Sequence, residues 1–410
     1  MNQEDDHNIA QAEPETDQIS ESELPRTDGR LATILQVLPA LGSGGGVERG
    51  TVEIAEAIVE AGGRAIVASA GGARVHDLAR VGAEHVLLPV DSKNPWIIYA
   101  NIDRLAKLII AENVDLVHAR SRAPAWSAYF AARQTKRPLV TTFHGTYNAQ
   151  NFLKRRYNSV MTRGDRVIAI SSFIAEHVRR HYGVPENKIR IIHRGVDLAR
   201  FDAEKVSAER VVTLSTNWRL EDGLPIVMLP GRLTRWKGQT IFIEAIARLN
   251  RQDIRCLIVG GDQGRNEYRQ ELESLVETHN LGTVVRIVDH CDDMAAAYML
   301  ADVVVSASTD PEAFGRIVVE AQALGRPVIA SDHGGAQETI IEGKTGWRVP
   351  PGDADALASA LETALGLSET QRATVATAAV ANVRENFSKQ SMCARTLAVY
   401  NEVIQPRAET

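Results

Sequence analysis

Short β-branched apolar runs alternate with helical patterns along this chain from about residue 31 to residue 401. Such runs suit strands buried on both faces, and strands separated by helices build parallel sheets. In the first half, 33–38, 65–68, 85–88, 116–118, 139–143, 166–170 and 189–192 read as strands, with helical patterns such as 46–60, 98–112 and 172–181 between them. Arg194-Gly195-Val196-Asp197 closes this series, and a polar stretch at 202–222 leads into a second. Its strands are 226–229, 255–259, 284–287, 303–306, 328–330 and 346–349. A chain of 410 residues has room for two such α/β domains.

Composition narrows the class. A hydrophobic content of 44% fills two cores, yet no apolar run approaches the roughly 18–20 residues that span a bilayer. The opening Met1-Asn2-Gln3-Glu4-Asp5-Asp6 carries no apolar signal core. Cys256, Cys291 and Cys393 have neither metal spacing nor a disulfide framework, which suits a reduced, cytoplasmic protein. The net charge of −6 is concentrated in residues 1–30, where nine acids face two bases. That segment is expected to be a disordered acidic tail. The nearly neutral remainder offers no nucleic-acid footprint.

Chemistry is concentrated in Pro311-Glu312-Ala313-Phe314-Gly315-Arg316-Ile317-Val318-Val319-Glu320, followed by Gly334-Gly335-Ala336-Gln337-Glu338. The apolar run before it, 301–308, reads as a buried strand, and 315–324 reads as the helix that follows. Glu312 then lies on the strand-to-helix loop and Glu320 about two turns into the helix. Gly315 lets the backbone approach a bound group, and the amides of Phe314 to Ile317 at the helix start favour an anion. An anion cradle flanked by two carboxylates suits a sugar nucleotide. The amides would hold the diphosphate and the carboxylates would accept from hydroxyls.

This spacing resembles the paired-glutamate signature of retaining glycosyltransferases of family 4, which have two facing Rossmann-like domains around an interdomain cleft (the GT-B architecture). The resemblance spans nearly the whole chain from about Leu31 to Asn401. It implies an acceptor-side domain at 31–205, a nucleotide-sugar-binding domain at 206–387, and a helix within 388–410 that crosses back to the first domain. Residues alone show 396–404 to be amphipathic. The stretches Ser121-Arg122-Ala123-Pro124-Ala125-Trp126 and His144-Gly145-Thr146-Tyr147 look like those of bacterial enzymes of lipopolysaccharide core assembly, mannosyltransferases among them.

Further candidates follow strand ends, where open α/β sheets bind ligands. Pro230-Gly231-Arg232-Leu233-Thr234-Arg235-Trp236-Lys237-Gly238 places Arg232 and Lys237 to reach a phosphate. The family has an arginine and a lysine at these two positions in that role. Leu41-Gly42-Ser43-Gly44-Gly45-Gly46-Val47-Glu48 is a poor dinucleotide fingerprint, but Gly45 and Gly46 match the family's glycine loop over the donor. Glu48 is open to two readings, a ligand to the acceptor or a first-turn acid. His144 ends the strand 139–143, and the resemblance assigns it a contact with the transferred sugar. His118, Arg120 and Ser121 are further cleft candidates. Arg194 stands where the family often has asparagine, either tuned to a charged acceptor or neutral.

The resemblance implies that Glu320 holds the ribose, that Glu312 orients the sugar and supports charge at the anomeric carbon, and that the departing phosphate takes the acceptor proton. No cofactor or protein-bound metal is expected. Asp353-Ala354-Asp355 follows Pro351-Gly352 and precedes a helical run, and reads as a helix cap with first-turn acids rather than a metal motif. The expected partners are a nucleoside-diphosphate sugar and a lipid-linked or saccharide acceptor. On a helix, Phe152, Arg155, Arg156, Ser159 and Val160 fall near one another, and the run from Phe152-Leu153-Lys154-Arg155-Arg156-Tyr157 to Arg163 suits either an anionic membrane surface, at the inner face of the cytoplasmic membrane, or a helix whose apolar side packs on the domain. Two other classes compete: another two-Rossmann-domain enzyme such as a sugar-nucleotide epimerase, and a non-catalytic sugar-nucleotide binding protein. The poor fingerprint and the paired glutamates count against the first. The presence together of Glu312, Glu320, Arg232 and Lys237 counts against the second.

Overall fold

The computed structural model describes residues 24–27, 29–42, 45–147, 151–220, 223–264 and 266–404. The expectation of a disordered tail over residues 1–23 lies outside the described residues, as do residues 405–410 of the last segment. Residues 26–31, assigned above to the tail or its edge, hold a small antiparallel pair, β1 (Arg26–Thr27) and β2 (Arg30–Leu31). Leu24 is 2% exposed in the first domain's core, and Arg30 Nη1 pairs with Asp115 at 2.9 Å. Burial of Leu24 and satisfaction of Asp115 thus fix a stretch that looked too polar to fold.

The first domain has a seven-stranded sheet: β3 (Thr33–Val37), β4 (Arg64–Ser69), β5 (Glu84–Leu87), β6 (Leu116–Ala119), β7 (Leu139–Phe143), β8 (Arg166–Ala169) and β9 (Ile189–Ile191). The second has six strands: β10 (Ile226–Pro230), β11 (Arg255–Val259), β12 (Val285–Val288), β13 (Val303–Ser306), β14 (Val328–Ser331) and β15 (Trp347–Val349). The spatial orders are β5-β4-β3-β6-β7-β8-β9 and β12-β11-β10-β13-β14-β15, with every neighbouring pair parallel. The α/β class with two Rossmann-like sheets is therefore observed. The central strands β3, β6, β10 and β13 are wholly buried, as continuous apolar runs with helices on both faces require.

Strand order reverses between β3 and β6 in one sheet and between β10 and β13 in the other. Loops leaving the carboxyl ends of strands diverge at such a switch point and leave a crevice. The glycine loop, Arg120 and the Arg232–Lys237 loop leave these four strands, as does the loop bearing Glu312. The polar stretch at 202–222 contains the helix Ala208–Asn217, capped by Ser207 and packed on the second domain's helix Met294–Leu300.

The chain passes between domains twice, and the two passages touch. Val196 N donates to Phe387 O at 2.7 Å, and Lys389 N donates to Val196 O at 2.9 Å. The helix Lys389–Val403 then lies on the first domain. Its Tyr400 is fully buried with its hydroxyl 2.7 Å from His118 Nδ1, and Glu402 pairs with Arg166 and Arg190.

Candidate active site

Glu312 sits on the loop between β13 and the helix Arg316–Ala323. Its Oε1 accepts from Lys237 Nζ at 2.7 Å, Ser308 Oγ at 2.6 Å and Ser306 Oγ at 3.3 Å. Lys237 reaches it because the loop after β10 turns directly against the β13 end. Gly238 has φ +72°, and a Cβ there would stand 1.8 Å from Ala307 O. The Glu312 loop is backed by Gly334-Gly335 in the same manner. Gly335 N donates to Glu312 O at 2.9 Å, and a Gly335 Cβ would lie 2.3 Å from Phe314 O. Burial alone would raise the Glu312 pKa. The Lys237 charge and the lysine and serine hydrogen bonds outweigh it and hold the carboxyl below the ordinary range.

Glu320, 9% exposed, accepts from Arg316 Nη2 at 3.0 Å and from Tyr298 OH at 3.3 Å. Arg49 of the first domain lies 3.7 Å away. Phe314 is buried against His193 and Phe387, with ring centroids 6.0 and 5.7 Å apart, so its side chain serves the core and only its backbone is left for a ligand. Gly315, φ +79°, caps the helix, whose first amides at Arg316 and Ile317 precede its internal acceptors. Ile317 lies beside Gly231 and Lys237, and Arg232 is exposed on the same loop.

Across the cleft, Gly45 caps the helix Gly46–Glu60. A Gly45 Cβ would fall 1.5 Å from Glu48 Oε2. The Glu48 carboxylate therefore folds back over the helix start, the arrangement of a first-turn acid. Arg194 Nη1 donates to Gly46 O, and Arg194 Nη2 donates to His144 Nδ1 at 2.9 Å. Arginine only donates, so His144 Nδ1 accepts and the proton of the neutral ring is on Nε2. That Nε2 is buried without a hydrogen-bond partner. Burial first, and the Arg194 charge second, hold the His144 pKa well below its ordinary value, so the ring stays neutral.

Arg120 is buried and donates Nη1 to Gln36 Oε1 at 3.2 Å. Ser121 starts the helix Arg122–Gln134 without a side-chain capping bond. His118 is a satisfied core histidine, bonded to Tyr400 and to Thr142 Oγ1 at 2.7 Å each. Asp353 caps Ala356 N at 2.9 Å and Asp355 pairs with Arg248 at 3.1 Å, as a helix start requires. Among the described residues, no group of three or more His, Cys, Asp or Glu side chains is placed to hold a metal ion.

Sequence reasoning missed several site residues. Ser306 ends β13 and Ser308 lies two residues beyond it, Arg49 lies one turn into the helix from Gly46, and Arg316 pairs with Glu320 four residues on. That last spacing is legible as a helical ion pair. Glu338 was visible in its motif, but its contact was not. It accepts from Ser172 N at 2.8 Å and Phe173 N at 3.0 Å, the first amides of the helix Ser172–Tyr182, and lies 2.7 Å from His193 Nε2. Beside it, Ser171 Oγ donates to Ala313 O at 2.6 Å. The domains are thus latched next to Glu312.

In the helix Phe152–Asn158, Phe152 and Leu153 are 74% and 75% exposed, and Lys154, Arg155 and Arg156 are exposed as well. Phe152 and Leu153 do not pack on the domain, whereas Val160, expected on the same face, is buried in its core with Met161. Among the described residues, no helix is long and apolar enough to cross a membrane.

Two family models match in succession: Glycosyltransferase Family 4 over residues 44–200, and Glycosyl transferases group 1 over residues 213–380. A glycosyltransferase from Rickettsia africae ESF-5 superimposes with a TM-score of 0.85 at 38% identity, covering 91% of this chain and 99% of that one. Anabaena Alr3699/HepE, solved with UDP and glucose, superimposes with a TM-score of 0.77 at 24% identity, over 90% of this chain and 99% of that one. The D-inositol 3-phosphate glycosyltransferase of Xylanimonas cellulosilytica is 29% identical over 72% of this chain and 73% of its own length. With the two sheets, the crossing helix and the paired glutamates at one cleft, these matches make the chain a member of the family 4-type glycosyltransferases, of GT-B architecture.

Proposed function

We propose that this glycosyltransferase moves a hexosyl group, with retention of configuration, from a nucleoside-diphosphate sugar to an envelope glycolipid or saccharide. The observation that carries this reading is Glu312, kept ionised by Lys237, Ser306 and Ser308 at the switch point of the second sheet. In that position a carboxylate orients sugar hydroxyls and stabilises positive charge developing at the anomeric carbon. Glu320 accepts from the ribose. Lys237, Arg232 and the amides of Arg316 and Ile317 offset the charge growing on the leaving diphosphate, and no metal is required. His144 meets the sugar from the first domain through Nε2–H. The leaving phosphate takes the acceptor proton, so no second carboxylate at glycosidase spacing is needed. HepE, solved with UDP and glucose, supports a nucleotide-sugar donor.

The exposed Phe152, Leu153 and Tyr157 beside Lys154, Arg155 and Arg156 support contact with an anionic bilayer, each base contributing about 1 kcal/mol near such a surface. The first experiment is incubation with UDP-, GDP- and ADP-sugars, scoring nucleoside-diphosphate release and the anomeric configuration of the product by NMR. An inverted product would sink the retaining reading, and no turnover with any donor would sink the donor class. Cosedimentation with anionic vesicles at low and high salt tests the membrane contact. Lys154→Glu combined with Arg155→Glu should abolish it and leave nucleotide binding intact.

A further inference from the structure

Gly46 and Gly50 lie one turn apart on one face of the helix Gly46–Glu60. Guanidinium groups crowd this side-chain-free face. A Cβ at Gly50 would lie 3.2 Å from Arg120 Nη2 and 3.5 Å from Arg194 Nη1. One at Gly46 would lie 3.3 Å from Arg194 Nη1 and 3.6 Å from Arg316 Nη1. Arg49, on the same helix, pairs with Glu320. Three of these arginines belong to the first domain, and Arg316 opens the second domain's helix.

The carboxylates facing them are Glu48, Glu53 and Glu320. Glu320 serves Arg49 and Arg316, and Glu48 folds over Gly45. Burial raises the Glu53 pKa, although Arg316, Arg49, Arg194 and Lys389 all pull it down. Arg120 and Arg194 are left with neutral hydrogen-bond partners, the Gln36 amide, the Gly46 carbonyl and the His144 ring. Nε of Arg120 and Nε of Arg316 are buried with no partner. Burial, with the charges of Arg316 and Arg120, pushes the Arg194 pKa down to about 9. Buried cations only partly offset by nearby carboxylates destabilise a fold unless a further anion joins them. A cavity of about 290 Å³ shares only Arg49 and Glu53 with this cluster; five basic side chains and four carboxylates line it, Lys389, Arg200, Glu56 and Asp197 among them, a mixed polar lining that suits a sugar beside the cluster.

We propose that Arg120, Arg194 and Arg316, with Arg49 at their edge, seat an anionic group, a phosphate or a carboxylate, carried on the acceptor. This rests on the glycosyltransferase reading and specifies its acceptor. The guanidinium forks match the paired oxygens of either anion. The cluster is built on the first sheet's switch point, whereas the donor diphosphate has Lys237, Arg232 and helix amides in the second domain. Arg316 reaches the first-domain arginines from across the cleft, so an anion bound among them touches both domains.

The test is isothermal titration of the full chain with glucose 6-phosphate, glucuronate, inorganic phosphate and glucose, with and without saturating UDP. At least one sugar anion should bind about tenfold or more tighter than glucose, and more weakly at high salt. The phosphate and carboxylate arms identify which anion is carried. Binding should persist with UDP present. Arg194→Lys, which keeps the charge and loses the fork, and Arg316→Gln should each weaken anion binding about tenfold, with UDP affinity changed less than about twofold in the lysine variant. Equal affinity for glucose and both sugar anions, or complete displacement of the anion by UDP, would overturn the proposal. Failure to bind UDP at all would instead count against the donor reading.

Discussion

Lys237 Nζ lies 2.7 Å from Glu312 Oε1, and this pair, with the Thr309 N–H donating to Trp236 O at 2.8 Å, joins the loops leaving β10 and β13, the two strands that flank the switch point. The lysine holds the carboxylate ionised, and in the proposed reading it also meets the diphosphate. In Lys237→Met, only the Ser306 and Ser308 hydrogen bonds remain to oppose the effect of burial on Glu312, and its pKa rises. We expect kcat to fall about 10²–10³-fold. The acid limb of the pH–rate profile should move to higher pH. An unmoved limb would show that Glu312 is not the titrating group.

Glu320→Gln and Glu312→Gln should separate. Glu320, on the helix, should cost about tenfold in affinity for the free nucleoside diphosphate, about 1.4 kcal/mol. Glu312, on the loop, should lower turnover with little change in that affinity. Titration of both variants with the nucleoside diphosphate, alongside steady-state rates, checks this. The opposite pattern would reverse the two roles.

If Lys237 and Arg232 carry the roles proposed for them, turnover in excess EDTA should stay within about twofold of that with Mg²⁺, because they would supply the positive charge that a metal supplies elsewhere. Loss of most activity on chelation, restored by Mg²⁺ or Mn²⁺, would show that charge to be insufficient.

Glu338 ties the domains together, and its pKa is lowered. Burial pushes it up, but the His193 hydrogen bond and the Ser172 and Phe173 amides more than compensate. A carboxyl with a depressed folded-state pKa stabilises the protein above its unfolded value of about 4.5, and that contribution fades as pH falls through the folded value. Glu338→Gln should therefore lower Tm at pH 7 by about 4–8 °C, for a loss of about 2 kcal/mol. The difference from wild type should shrink in acid. A constant difference between pH 7 and pH 3 would mean that ionisation plays no part.

The strands were legible because each is a compact apolar run, and most ends fall within a residue or two of expectation. That Glu312, Gly315 and Glu320 are neighbours was legible because short spacings place them on one loop and its helix, and Lys237 was placed on its own loop after a strand. What was not legible depends on distant pairs. Nothing local tells that Lys237 meets Glu312 before any ligand does, or that Glu338 caps a helix 166 residues earlier in the chain. Nor does it tell that Arg49 faces Glu320. The segment at 24–31 was misread for the same reason, since Leu24 and Arg30 are fixed by partners far along the chain. The helix at 208–217 was hidden by its polar, half-exposed surface.

Gly195 has room for no Cβ, because Lys389 Cα would lie 2.5 Å from it, and the strap of hydrogen bonds at Val196 holds the outgoing and returning chains side by side. Two linkers clamped at one point act as an axle rather than a tether. Any relative motion of the domains is then expected to be a rocking about that line rather than a twist or a slide. The search for the closed arrangement then has few rotational degrees of freedom to give up, and each opening returns the same two faces to the same register.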